Sequence, residues 1–247
     1  MSAKQISSIE DLIQVLENDF SDYRGNVWYR GQENEKWGLI PGYFRSETAT
    51  SESTLVKRFK QSAAMLINTA PKASFDWLFL MQHYGVPTRL LDWSENPLVG
   101  LYFAIGSTPL QMNQDAALWA LKPSELNKNA GIDSEEEFFI PSFDDEELEN
   151  YSVEILSQNT RNKLKPLATI ATRNNSRIQA QHGVFTIHHN DRVAIESVGD
   201  SGHITKYIVP AASKEKILKQ LKLLGFTKFQ LFPELASIGE IIKEGLL

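Results

Sequence analysis

Between Asn96 and Gly106 the chain runs Asn-Pro-Leu-Val-Gly-Leu-Tyr-Phe-Ala-Ile-Gly. Asn suits a helix cap and Pro the first helical position. The helix that follows, Leu98 to Ile105, is apolar almost all round, so it offers water no face and has to be buried. Each large side chain buried there contributes about 1.5–3 kcal/mol. Enclosing such a helix takes a sizeable core, which 247 residues with 42% hydrophobic content can supply.

The remaining composition excludes more than it selects. Charged residues make up 23%, with 14 glycines and 10 prolines, as in an ordinary globular chain and unlike collagen-like or low-complexity sequence. No run reaches the roughly 18 to 20 apolar residues that span a bilayer. Residues Met1 to Asp11 lack the basic-then-apolar pattern of a secretory signal. The absence of cysteine removes disulfides, thiolate zinc sites and cysteine nucleophiles together. A soluble cytoplasmic protein without a membrane partner is expected.

A net charge of −6 looks unfavourable for phosphate-bearing ligands, but it is unevenly spread. Nine of the 31 acids lie between Ile132 and Glu149 with no Lys or Arg among them, and the other 22 face 25 basic residues. The rest of the chain is therefore slightly basic and compatible with an anionic ligand. The acidic stretch, about 131–150, reads as a solvated excursion or mobile loop; a partner-binding segment or a mimic of nucleic acid is the sharper alternative.

Hydrophobic periodicity predicts helices in the first half. Ser8 with Asp11 caps a segment carrying Ile9, Leu12, Ile13 and Leu16, a second covers Thr54 to Asn68, and a third runs from Ser74 through Trp77, Leu78 and Met81 to Gly85. Strands are predicted at Ala116–Leu121, Val184–His188, Ile204–Val209 and Phe226–Leu231, with an amphipathic helix from Ser213 to Gly225. Segregated helices and strands favour one α+β domain, a helix-rich N-terminal half packed on mainly antiparallel strands. The motif-rich part is 27–105 and the strand-rich part 165–247.

Three polar islands interrupt this pattern. In the first, Val27-Trp28-Tyr29-Arg30-Gly31-Gln32, a short strand carries a guanidinium beside a glycine that admits close approach. Arg30 is either a bidentate holder of phosphate or carboxylate, or an internal ion-pair partner. The second runs Gln82-His83-Tyr84-Gly85-Val86-Pro87-Thr88-Arg89-Leu90-Leu91-Asp92-Trp93-Ser94. Burying so many polar groups is costly unless they satisfy one another or a ligand. Tyr84 and Trp93 can stack on a flat ring, while the structural alternative pairs Asp92 with Arg89 or with loop amides. The third, Arg173 to Phe185, alternates polar residues into a strand start.

Other chemistries lack their signatures. There is no Gly-x-Ser-x-Gly elbow, no Walker-type loop, no Gly-x-Gly-x-x-Gly and no His-Glu-x-x-His. The adjacent His188 and His189, placed in a strand, would point to opposite faces, so no metal site is predicted.

Taken together, the first two islands resemble the FRG domain family of bacterial and phage proteins. The resemblance rests on Tyr29-Arg30-Gly31-Gln32, Leu39-Ile40-Pro41, Phe44-Arg45, the run Gln82 to Trp93, Asn96-Pro97 and Leu101-Tyr102-Phe103-Ala104. A later segment, Arg177 to Phe185, is similar to the family pattern Arg-Ile-x-x-Gln-x-Gly-x-Phe. The resemblance implies a role in bacterial defence or mobile-element conflict and a distant relation to ADP-ribosyltransferases, with NAD as the consumed nucleotide. On that relation, Arg30, Gly31, Gln32, Tyr84, Thr88, Arg89, Trp93, Ser94 and Arg177 would bind the dinucleotide, and His83, Asp92 and Gln181 would be the catalytic candidates. Gln179 or Gln181 would stand where such transferases carry a late Glu, and a neutral amide stabilises a developing cation less well than a carboxylate. The expected function is therefore a nucleotide site that modifies a protein or nucleic acid with ADP-ribose, or hydrolyses NAD. The alternative is a non-catalytic module that senses a nucleotide, a nucleic acid or a phage protein.

Overall fold

The computed structural model describes residues 4–45, 50–67, 71, 73–106, 108–132, 134–158, 163–171 and 175–244. Asn68 at the end of the second predicted helix, Asp133, Arg173 and Asn174 lie outside the described residues. Seven strands, β1 (Lys4–Gln5), β2 (Trp28–Gln32), β3 (Leu90–Ser94), β4 (Ala116–Leu121), β5 (Leu167–Thr169), β6 (Gly183–Ile187) and β7 (Ile204–Val209), form one sheet in the order β1-β7-β4-β2-β3-β6-β5. Every pair is antiparallel except β1 with β7. The α+β expectation holds.

The helices are α1 (Ile9–Phe20), α2 (Gly42–Arg45), α3 (Glu52–Ala63), α4 (Ser74–His83), α5 (Pro97–Ile105), α6 (Pro109–Met112), α7 (Pro123–Asn129), α8 (Val153–Gln158), α9 (Ser176–Ala180), α10 (Ala211–Leu223), α11 (Lys228–Leu231) and α12 (Leu235–Glu244). Two of the starts follow the predicted caps, whereas α3 begins at Glu52, ahead of Thr54, and α10 at Ala211, ahead of the predicted start at Ser213. Ser8 Oγ accepts the Asp11 N–H at 3.1 Å, and Asn96 Oδ1 accepts the Leu98 N–H at 2.9 Å. Gly85 ends α4 with φ +78° and Gly225 follows α10 with φ +84°, both left-handed positions that favour glycine. Among the described residues no helix is long and apolar enough to cross a membrane.

Alternation along the strands divides the core. One face of the β7-β4-β2 half packs Tyr29, Leu118 and Tyr207 against Leu12 of α1, Leu101 and Ile105 of α5, and Ile217 and Leu221 of α10. Around β3 and β6, Leu90, Phe185 and Ile187 pack against Leu78 and Met81 of α4 and Val56 of α3. Another cluster gathers Trp28, Leu91, Trp93, Trp119 and Val184 under Leu39 and Ile195.

Helix α5 lies directly on β2. A Cβ built on Gly31 would stand 2.0 Å from the Gly100 carbonyl oxygen and 2.3 Å from the Ala104 nitrogen. A Cβ on Gly100 would stand 2.9 Å from Leu118 Cδ1 and 3.0 Å from Tyr29 Cβ. Two glycines thus bring helix backbone and strand backbone together.

Four readings are changed or completed by the structure. The second polar island contains a strand, β3, whose polar Asp92 sits among inward-facing leucine and tryptophan. Phe226–Leu231 forms no strand: Thr227 Oγ1 accepts the Gln230 N–H and a helical turn follows. The third island starts as helix α9, because Asn175 Oδ1 accepts the Arg177 N–H at 2.8 Å and closes a cap that competes with extended backbone. The acidic stretch is tied to the core, since Phe143 stacks on Phe75 and Phe79 and the short helical turn Glu146–Tyr151 buries Leu148 and Tyr151.

The close contact at Gly31 yields a stability prediction. Gly31→Ala is expected to lower the unfolding free energy by about 3 kcal/mol, because its methyl meets backbone that cannot rotate away. Gly239→Ala, in exposed helix α12 with nothing within 4 Å of the new methyl, serves as the comparison and is expected to stabilise by up to about 1 kcal/mol in urea unfolding. Equal midpoints for the two variants would contradict the packing described.

Candidate functional site

Strand β2 keeps five pairs with β4, and β3 keeps five with β6, but the two strands share only Tyr29 with Ser94. Beyond that pair the sheet divides, and a cavity of about 270 Å³ occupies the fork. Arg30 to Glu33 line one side, Asp92 to Ser94 the other, α5 contributes Phe103, and Arg177 and Gln181 close it from α9 and the turn that follows it. Trp37 and Arg45 also reach it. A smaller cavity of about 70 Å³ adjoins it through Asp92, Trp93, Arg177 and Gln181, and adds Gln82 and His83.

Dividing a sheet leaves backbone groups without strand partners, and these need others. Arg30 Nη1 donates to the Asp92 carbonyl across the fork, bridging where β2 and β3 do not pair. Its Nε is buried without a partner. Burial lowers the Arg30 guanidinium from its ordinary range, the nearby Asp92 charge works against this, and Arg45 reinforces it; the group stays cationic.

Asp92 presents an exposed carboxylate whose Oδ1 accepts from Gln82 Nε2 at 2.6 Å. Gln82 is in turn fixed by the hydroxyl of buried Thr88, which donates to its Oε1. Ser94 Oγ donates to the Gln181 carbonyl at 2.6 Å and accepts the Asn96 N–H at 3.0 Å, tying the base of the fork to the α5 cap and to the α9 turn. The Gln181 side chain donates to the Leu231 carbonyl at 3.0 Å.

Arg177 lies 4.6 Å above the Phe232 ring, which also meets Phe103 edge-on at 5.9 Å. Its side chain has no hydrogen bond or ion pair among the described residues. His83 faces Glu234 at 3.6 Å. Burial pulls the His83 pKa below its ordinary value and the Arg177 charge adds to this, with Glu234 opposing.

Of the residues singled out in sequence, Arg30, Gly31, Gln32, Asp92, Trp93, Ser94, Arg177 and Gln181 meet at the fork, with His83 beside it. Gln32 lines the wall but is spent internally, accepting from Trp119 Nε1 at 2.7 Å and donating to the Gly38 carbonyl at 3.1 Å. Trp93 is 3% exposed and its indole N–H is held by Thr186 at 3.0 Å, so it offers an edge and no open face. Three residues do not line either cavity. Tyr84 stands 65% exposed after α4, packed on Phe59 and His83. Thr88 acts through Gln82.

Arg89 pairs with Glu52, and the alternative in which it pairs with Asp92 does not form. Arg89 Nε donates to Glu52 Oε2 at 2.6 Å, its Nη1 to the His188 carbonyl and its Nη2 to the Tyr151 carbonyl at 2.7 Å, while Glu52 Oε1 accepts its backbone N–H at 3.1 Å. Both side chains are buried. Glu52, in α3, carries nothing in its local sequence to mark it as that partner. Sequence reasoning missed Glu33, Trp37 and Phe103 as wall residues; Arg45 was visible as part of the Phe44-Arg45 motif.

A divided, mostly antiparallel sheet flanked by helices, with arginine side chains lining the division, defines an α+β protein with a cationic fork. The model of the FRG domain family matches residues 25–112, and over that segment the chain carries an FRG domain. No curated protein and no solved structure matches the chain. The matched segment holds Arg30, Arg45, Asp92, Ser94 and Phe103, whereas Arg177 and Gln181 come from outside it. Among the described residues no cluster of three or more His, Asp or Glu is arranged to hold a metal ion.

Two predictions follow from these environments. Arg89→Met is expected to cost about 3–5 kcal/mol, since it strands a buried Glu52 carboxylate, while Arg45→Met at the exposed cavity edge costs under about 0.5 kcal/mol; urea midpoints compare them. Burial, assisted by the charge of Arg89 and opposed by a backbone contact at Val193, holds the His188 pKa down at about 3 against an ordinary 6.5. The unfolded chain therefore binds the extra proton first, and this contribution is complete above about pH 6.5 and is lost progressively toward pH 3. His188→Phe should flatten that acid limb, and an unchanged limb would mean that the folded protein protonates His188 at its ordinary pKa.

Proposed function

We propose that the fork is a nucleotide site of the ADP-ribosyltransferase kind, which takes NAD and transfers its ADP-ribose to a macromolecule or hydrolyses it. One observation carries the proposal: Arg30, Arg45 and Arg177 converge on one cavity, and among the described residues none of the three forms an ion pair. Planar guanidinium forks match phosphate oxygens, and a pyrophosphate would supply the missing negative charge. The cavity and its neighbour together fall just inside the lower end of the roughly 300–1,000 Å³ typical of ligand pockets.

The chemistry asks for one further element. When the bond from the ribose carbon to the nicotinamide nitrogen breaks, its electron pair leaves with the ring and positive charge develops on the ribose. Asp92 is the exposed carboxylate in the fork, oriented by Gln82, and suits that charge. The incoming water or target group supplies the new pair to the ribose carbon and releases its proton to solvent. A sensing module is the second reading, favoured by Gln181, whose neutral amide is held by the Leu231 carbonyl. The defence setting and the cytoplasmic location implied at the sequence level accompany both.

Calorimetric titration with NAD and an assay of nicotinamide release, with and without cell extract, test this. Arg177→Ala is expected to weaken binding on the order of tenfold, the loss of a charge-assisted contact. Asp92→Asn is expected to bind and not to turn over. Binding without release from the wild-type protein would support the sensing module, and neither binding nor release would reject the nucleotide site.

A further inference from the structure

We infer that Trp37 is the platform on which the base of the bound nucleotide stacks, an inference that rests on the nucleotide site proposed above. Four of the five tryptophans are buried: Trp28 at 0%, Trp93 at 3%, Trp119 at 6% and Trp77 at 9% exposure. Trp37 is 43% exposed and lines the fork cavity. The other aromatic residues there are occupied. Trp93 is enclosed in the core, Tyr29 is buried under α5, and Phe103 is flanked by Tyr102 and Phe232. Trp37 meets no other ring and no cation among the described residues.

Its backbone is pinned on both sides. The Glu35 N–H donates to the Asp115 carbonyl at 2.9 Å, Lys206 Nζ reaches the Glu35 carbonyl, and the Trp37 N–H donates to the Asn34 carbonyl at 3.2 Å. Beyond it, the Gly38 carbonyl accepts from Gln32, and the Leu39 N–H donates to the Glu196 carboxylate at 3.1 Å. An indole left in water on so fixed a loop loses little further freedom on gaining a ring. It shares the cavity with Arg45 and Arg30, so one ligand can place phosphate on the guanidinium groups and a flat base on the indole. The ligand class is a nucleoside diphosphate or a dinucleotide containing one, bound through both charge and base.

Titrating wild-type protein, Trp37→Ala and Trp37→Phe with ADP and with inorganic pyrophosphate tests the inference. Trp37→Ala is expected to weaken ADP binding on the order of tenfold, to leave pyrophosphate binding unchanged, and to be largely rescued by Trp37→Phe. ADP is also expected to quench tryptophan emission in the wild-type protein and much less in Trp37→Phe. Unchanged ADP affinity in Trp37→Ala would overturn the platform and leave the nucleotide site standing. Equal losses for ADP and pyrophosphate would assign Trp37 a structural role instead, and a wild-type protein that binds neither would overturn both proposals.

Discussion

Everything in the candidate site depends on the parting of β2 from β3. Each strand satisfies its outer edge, β2 against β4 and β3 against β6, and the inner edges meet at a single pair. Opening a sheet internally exposes polar backbone that has to be satisfied in another way. Arg30 does part of this by giving a side-chain N–H to the Asp92 carbonyl, and α5, brought to backbone contact by Gly31 and Gly100, keeps β2 in its own layer. The Arg-Gly pair is thus one device: the arginine bridges the fork, and the glycine lets the helix hold β2 in place.

Much of this was legible, and the failures share a cause. Caps are local chemistry, so Ser8, Asn96 and the glycines after α4 and α10 were read correctly, and β4 was visible as an apolar run of strand length and β7 as a run rich in β-branched residues. The buried helix α5 followed from its composition alone. What escaped were features set by partners distant in sequence. β3 was hidden because Asp92 and Ser94, which break its apolar pattern, face the fork. Phe226–Leu231 has strand composition, yet Thr227 caps a helical turn there. The acidic stretch was judged by its charge, whereas Phe143 and Leu148 decide where it lies.

The arginines show how a single residue type separates by environment. Arg89 and Arg30 stand in motifs of similar apolar density, and sequence gives both the same two readings. Arg89 is saturated by Glu52 and by two carbonyls brought from Tyr151 and His188, 62 and 99 positions away, so its charge is neutralised within the fold. Arg30, Arg45 and Arg177 have no such acid. The carboxylates nearest to hand are held by amides, Asp92 by Gln82 and Glu33 by Gln111. An amide is neutral, so it orients a carboxylate without cancelling it. Charge of both signs is therefore kept in place on the walls of one cavity.

The segment that matches the family model carries both strands of the fork but not the residues that close it. Arg177 reaches the fork from α9 and Gln181 from the turn that follows it, and this segment is steadied by residues later still: the Leu231 carbonyl takes the Gln181 amide and the Phe232 ring lies under the Arg177 guanidinium. Ser94 closes the circuit by donating to the Gln181 carbonyl from the one point where β2 and β3 still pair. Because the fork's base, its far wall and the support of that wall are linked through these few bonds, the placement of Arg177 relative to Arg30 is a property of the whole sheet. A fragment ending near residue 112 would retain the Arg-Gly strand and Asp92 but would lose β4, β6 and the third guanidinium, leaving both edges of the fork unpaired.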